Sequence, residues 1–192
     1  MKTGYLNFED GIPEEYPEYT KEKTTMMNLT LTQLKRYKKL TRFGLYLCGP
    51  IKNKTDEEVH GWRNRIKSLL IAYPITVFDP TKRDYRAVLE EATSLDDLAI
   101  IDEEIVTIDT EEIMASHALI ANCFEASAGS SMEIFMAWRL RRFIVTLVPD
   151  PLRTSPWIRY HSSVLVTNYG DAFQELRNIF PTVFGIRKGL DE

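Results

Sequence analysis

Cysteine is scarce: two occur in 192 residues. Cys48 and Cys123 each lie in or at the end of an apolar run, which excludes a disulfide framework and predicts reduced, mostly buried thiols. No base stands beside Cys48 in the sequence, so it makes a poor candidate nucleophile. Histidine is nearly as rare. His60, His117 and His161 show no metal-ligand spacing among themselves or with the cysteines, so neither a metal nor an organic cofactor is expected. GxGxxG and GxxxxGK[ST] are absent, which removes motif support for dinucleotide or P-loop chemistry. GxSxG is absent too, and with it the nucleophile elbow of serine hydrolases. No apolar run approaches the roughly 18 residues that span a bilayer. The opening MKTGYLNFEDGIPEEYPEYTKEK lacks the apolar core of a signal peptide. A cytoplasmic protein without membrane contact is expected. Excess positive charge is missing as well: the net charge is -4, so there is no general attraction to nucleic acid.

What is present suffices for one core, with 44% hydrophobic residues in the chain. Residues 1–40 read as an extension. Its first 27 residues are an irregular arm rich in Glu, Lys, Tyr and Pro. NLTLTQLKRYKKL then suits a short helix capped by Asn28. Lys35, Arg36, Lys38, Lys39 and Arg42 make the one local basic cluster, read as a solvated helix face. Nucleic acid is not expected there, because Tyr37 is the only stacking aromatic among them. Residues 41–192 read as a single catalytic domain. FGLYLC, ITVF, HALIAN, RFIVTLV and SVLVT suit strands. DEEVHGWRNRIKSLL, DEEIVTIDTEEIMAS, SSMEIFMAWRLRR and DAFQELRNIF suit helices, and residues 81–100 read as a long crossover containing a short helix. Such alternation predicts an α/β fold with a parallel sheet covered on both faces.

Ligands of such sheets bind beyond the carboxyl ends of the strands, where strand order reverses. That rule selects Cys48, Gly49 and Pro50, Asp79 and Pro80, the stretch from Asn122 to Ser131, and the loop around Pro149. Two carboxylates stand out nearby. Asp109 shares a helix face with Val106 and Ile113, where desolvation would raise its pKa and suit it to proton donation. Alternatively the apolar stripe is Ile101, Ile105 and Ile108, with Asp109 at its solvated margin. Glu133 completes Ser130-x-x-Glu133, which fits a capping box with Ser130 as N-cap. The other reading has a first-turn Glu133 projecting into the crevice, kept ionised by the helix dipole. In that reading the amides of Ser130, Ser131 and Met132 are open to anionic oxygens. A protonated Asp109 and an ionised Glu133 would divide acid and nucleophile roles between them. Trp62, Trp138 and Trp157 read as core or pocket-wall residues.

LYLCGPI (45–51), GWR (61–63), FDPTKRDYR (78–86), EIVTIDTEEIMASHALIAN (104–122), GSSMEIFMAW (129–138) and SPWIRYHS (155–162) occur in a telling order. Together they resemble the nucleoside 2-deoxyribosyltransferase family, within a wider group that includes 2'-deoxynucleoside 5'-monophosphate N-glycosidases. The resemblance runs from about Arg42 to Phe180. It implies a flavodoxin-like three-layer sandwich with a five-stranded, mainly parallel sheet of order 2-1-3-4-5. It also implies that Glu133 is the nucleophile attacking C1' of the deoxyribose and that Tyr46 orients it. Asp109 would be proton donor and acceptor to the base. Gly49, Pro50, Trp62, Arg63, Asp79, Arg83, Asn122, Ser127, Gly129, Ser130, Ser131 and Met132 are then expected around the substrate.

The chain departs from the family at Ser116-His117, where members tend to carry an acidic pair, and at Ser127, where an Asp is usual. Three readings follow. The first is transfer of a 2-deoxyribosyl group between nucleobases through a glutamyl intermediate. The second is hydrolysis of 2'-deoxynucleoside 5'-monophosphates, with Ser127, Ser130 and Ser131 cradling the phosphate and Arg63 and Arg83 supplying charge. The third is a nucleotide-binding protein without activity. Expected partners are a 2'-deoxynucleoside or deoxynucleotide, a free nucleobase, and further copies of the chain forming a homo-oligomer with shared sites.

Overall fold

The computed structural model describes residues 42–185 together with Lys35, Tyr37, Lys39 and Leu40. The expected arm and most of the expected basic helix lie outside the described residues. Strand β1, Phe43–Cys48, is buried at every position. Its alternating side chains serve two cores, Phe43, Leu45 and Leu47 on one face and Tyr46 and Cys48 on the other. Strands β2 (Ile75–Phe78), β3 (Ala118–Asn122), β4 (Phe143–Leu147) and β5 (Val164–Val166) complete a sheet of order β2-β1-β3-β4-β5. Every pairing is parallel, with Tyr46 opposite Phe78 and Leu119 and Cys48 opposite Ala121. This is the flavodoxin-like arrangement, and its order reverses between β1 and β3.

Helix α1, Asp56–Leu70, starts at a capping box in which Thr55 and Glu58 satisfy each other's amides. It buries Trp62, Ile66 and Leu70 against one sheet face, beside α6 (Tyr169–Ile179) and α7 (Pro181–Gly185). The opposite face is covered by α3 (Leu95–Ala115), α4 (Ala128–Arg139) and α5 (Pro156–His161), through Ile113, Ile134, Ala137 and Ile158.

Three boundaries differ from expectation. α3 begins at Leu95, well before residue 102, because Ser94 and Asp97 form a capping box. Its early apolar residues gave no clean stripe: Leu95, Ile100 and Val106 are 83%, 74% and 61% exposed. α4 is capped by Ser127, in extended backbone, whose Oγ accepts from the Ser130 amide at 3.3 Å. Ser130 is therefore not the N-cap, and Glu133 lies in the second turn instead of closing a box. α5, which lies within SPWIRYHS, was not anticipated as a helix. The crossover holds a 3-10 turn (Pro80–Lys82) and the short helix α2 (Arg86–Glu91).

Candidate active site

Three elements bring Tyr46, Asp109 and Glu133 together on one side of the sheet. Tyr46 projects from the middle of β1 into the α3–α4 layer, and its hydroxyl donates to Glu133 Oε1 at 3.0 Å. Asp109, carried by α3, lies close enough for its charge to act on both Tyr46 and Glu133. Asp109 is half-buried beside Ile105, Ile108 and the fully buried Ile113, whereas Val106 faces outward. Of the two stripes read from the sequence, the one through Ile101, Ile105 and Ile108 holds, and Asp109 at its margin turns to the crevice.

Burial raises the pKa of Glu133 to about 7, and the nearby Asp109 charge adds to this. The Cys48 thiol, the Tyr46 hydroxyl and the Arg63 guanidinium pull the other way. Glu133 keeps some exposed surface, which admits a ligand, while the protein packed around it dominates its electrostatics. The expectation of a carboxylate kept ionised by the helix end is thereby corrected. A dipole's influence fades beyond the first turn, and desolvation prevails in the second. Burial also raises Asp109, opposed by the Arg83 guanidinium and Tyr46 and reinforced by Glu112. Burial, more than the neighbouring carboxyls, pushes the Tyr46 phenol far up. Cys48 is fully buried with its thiol 3.6 Å from the Ser130 carbonyl, and burial pushes Cys123 up to about 12. Neither thiol is a thiolate at neutral pH.

Arg63 and Asp79 occupy a different place from the one expected of substrate contacts. Both side chains are wholly buried on the other side of β1, with Arg63 Nε 3.6 Å from Asp79 Oδ1. Arg63 donates to the carbonyls of Val59 at 2.6 Å and Gly49 at 2.9 Å. Asp79 accepts from Lys67 at 2.8 Å and from the Thr81 amide and hydroxyl. This network tethers the Gly49-Pro50 loop from beneath, and Arg63 acts on Glu133 through its charge, not as a contact open to a ligand. Gly49 is required because a Cβ there would stand 2.9 Å from Trp62 Cζ2 and 3.3 Å from Asn122 Cβ. Pro50 follows at the partly open tip.

Trp62 is a wall, 8% exposed, with its indole N–H lacking a hydrogen-bond partner among the described residues. It stacks on Tyr169 at 6.3 Å, and the Tyr169 hydroxyl accepts from Asn122 Nδ2 at 3.2 Å. Phe124 meets Tyr169 edge-on. Neither Tyr169 nor Phe124 was singled out from the sequence. Their positions just past β5 and β3 were the available signal. Glu112 was missed as well, and it takes Arg83 Nη1 at 2.8 Å. Arg83 is thus engaged with α3 instead of standing free for a phosphate.

At the start of α4, Ser130 is buried, and the Ser131 amide donates to the Ser127 carbonyl at 3.1 Å. The Ser131 hydroxyl donates to the same carbonyl at 2.9 Å. The amides open to a ligand are therefore those of Ala128 and Gly129, which precede the helix's first internal hydrogen bonds. Met132 is 71% exposed beyond them. A surface groove of about 310 Å³ along β5 and α6 shares no residue with the carboxyl cluster. Among the described residues, no group of three His, Cys, Asp or Glu suits a metal ion.

No family model matches the chain, and no curated protein matches it. Solved structures do. A conserved protein from Enterococcus faecalis V583 superimposes with a TM-score of 0.50 at 17% identity, over 71% of this chain and 98% of that one. A 2-deoxyribosyltransferase from Bacillus psychrosaccharolyticus gives 0.48 at 15% identity, over 69% and 95%. A CMP N-glycosidase from Clostridium botulinum gives 0.44 at 16%, over 70% and 98%. The likeness to the first is one of fold.

Proposed function

We propose that this chain is an enzyme that breaks and remakes the N-glycosidic bond of a 2'-deoxynucleoside, moving the deoxyribosyl group between bases. The observation that carries the reading is the 3.0 Å hydrogen bond from Tyr46 to Glu133, with the Asp109 charge acting on both groups. The motif resemblance assigns these three positions to the same roles.

In the reactive form the two carboxyls hold one proton between them, on Asp109. Glu133 attacks C1' as the bond to the base nitrogen breaks, and Asp109 gives its proton to that nitrogen. The sugar is then esterified to Glu133, and Asp109 is ionised. An incoming base attacks C1' from the face the first base left, Asp109 takes its proton, and the Glu133 ester bond breaks. Two inversions retain the anomer. Tyr46 holds the carboxylate on the attack line. Exclusion of water by a bound base favours transfer over hydrolysis.

A second reading, hydrolysis of a 2'-deoxynucleoside 5'-monophosphate, draws support from the open Ala128 and Gly129 amides beside Ser127. It lacks the arginine charge expected for it, because Arg63 and Arg83 are engaged elsewhere. Exposed Leu95, Ile100 and Val106 on α3, with Met132 and Phe135 on α4, favour assembly with further copies of the chain.

Chromatography of reactions containing a deoxynucleoside with a second base, or a deoxynucleoside monophosphate, tests these readings. A new nucleoside supports transfer. Free base with deoxyribose 5-phosphate supports hydrolysis. Binding without base release from any of them refutes an enzyme.

A further inference from the structure

Arg83 follows the 3-10 turn after β2 and reaches across to α3, where Asp109 and Glu112 lie one turn apart on one face. Its Nη1 holds Glu112 Oε1 at 2.8 Å, which fixes the guanidinium plane. Its Nη2 stands 3.7 Å from Asp109 Oδ1, beyond hydrogen-bond length. That nitrogen is closed off from solvent and has no hydrogen-bond partner among the described residues. A buried N–H left unsatisfied is costly, so one aimed at a nearby carboxyl marks a state in which the bond closes. We infer that Arg83 is a positioning residue for Asp109: its idle N–H receives the carboxylate formed when Asp109 gives its proton to the departing base. The inference deepens the proposed function and rests on it for the base, though not for the Arg83–Asp109 coupling.

The step balances simply. The proton moves from Asp109 to the base nitrogen, and the new carboxylate closes the gap to Arg83 Nη2 from 3.7 Å by about 1 Å. When the incoming base returns a proton, the contact opens again. The other groups around Asp109 are Tyr46 from β1, Glu133 from α4 and Glu112 from α3. Tyr85 also acts on Arg83 and Asp109, and its hydroxyl donates to Glu104. None of these offers a second cation. Arg83 and Tyr46 are the influences that oppose burial at Asp109.

The titration of Asp109 is to be followed by carbon NMR of aspartate-labelled protein, with the signal assigned by its loss in Asp109→Asn. Arg83→Met should move the midpoint up by about one pH unit or more, and Arg83→Lys should restore most of it. Glu112→Gln should move it down. Opposite signs cannot come from a merely loosened fold. An unmoved midpoint in Arg83→Met, or a shift of the same sign in both variants, overturns the inference. Base release gives a second readout. On an ordinary deoxynucleoside Arg83→Met should lose about tenfold or more, following the tenfold-per-pH-unit relation. On a purine deoxynucleoside methylated at N7, whose base leaves without a proton, it should keep its rate. Equal loss on both substrates overturns the positioning role. A wild-type protein that releases base from neither refutes the proposed function instead, and the titration still decides Arg83.

Discussion

Glu133 is held where it is hardest to ionise. Its pKa of about 7, against an ordinary 4.5, means the folded chain binds that proton more tightly than the unfolded chain. The stability this confers is complete below about pH 4.5 and is lost as pH rises through about 7. The difference is on the order of 3 kcal/mol. Glu133→Gln keeps an oxygen for Tyr46 and removes the charge, so it should abolish base release yet resist urea better than wild type at pH 8. At pH 4 the two should unfold alike. Equal midpoints at both pH values would refute the desolvation argument. The activity profile should rise through about pH 7, as Glu133 ionises, and fall in base, as Asp109 loses the proton it gives to the leaving base. Tyr46→Phe keeps the ring and deletes the donor, so base release should drop by about ten- to a hundredfold. Unchanged kcat/KM in that variant would remove Tyr46 from the mechanism.

The elements that build the site depend on a few local devices. Gly49→Ala places a methyl group against Trp62 and Asn122, and should destabilise the protein by about 1–3 kcal/mol, measured by chemical unfolding. Asp79→Asn leaves Arg63 buried without its counter-ion and should cost about 3–5 kcal/mol. Ser127→Ala removes the α4 cap, with an expected loss of about 1 kcal/mol.

How legible these elements were in the sequence varied with their chemistry. β1, β3 and β4 announced themselves as short, mostly apolar runs, because both faces of the sheet are covered. α1 was legible over its full range, Asp56–Leu70, from its amphipathic pattern. The start of α3 was hidden because its box uses Asp97 in place of Glu or Gln and its apolar residues point outward. At α4, two serines three residues apart both fit the cap, and only backbone conformation distinguishes Ser127 from Ser130. Asp109, Glu133 and Tyr46 could be nominated from pattern and resemblance. The engagements of Arg63 with Gly49 and of Arg83 with Glu112 could not, since a charged residue's partner across the fold leaves no local trace.

At the scale of the whole molecule, the exposed apolar side chains of α3 and α4 predict self-association. Leu95→Glu with Val106→Glu should reduce the mass seen by light scattering. Identical masses for wild type and variant would exclude this face as the contact. Among the described residues, no helix is long and apolar enough to cross a membrane.

The sheet itself separates two charged groups. Glu133 and Asp109 lie above β1, while Arg63, with no solvent contact, lies beneath it. The attraction of that hidden cation for Glu133 passes through protein, but water in the open crevice weakens it. A flat guest that expels this water lowers the local dielectric, and the pull from below strengthens. Burial outweighs that pull on Glu133, so a guest that fills the crevice makes the carboxyl harder to charge, and the cation below only softens the cost.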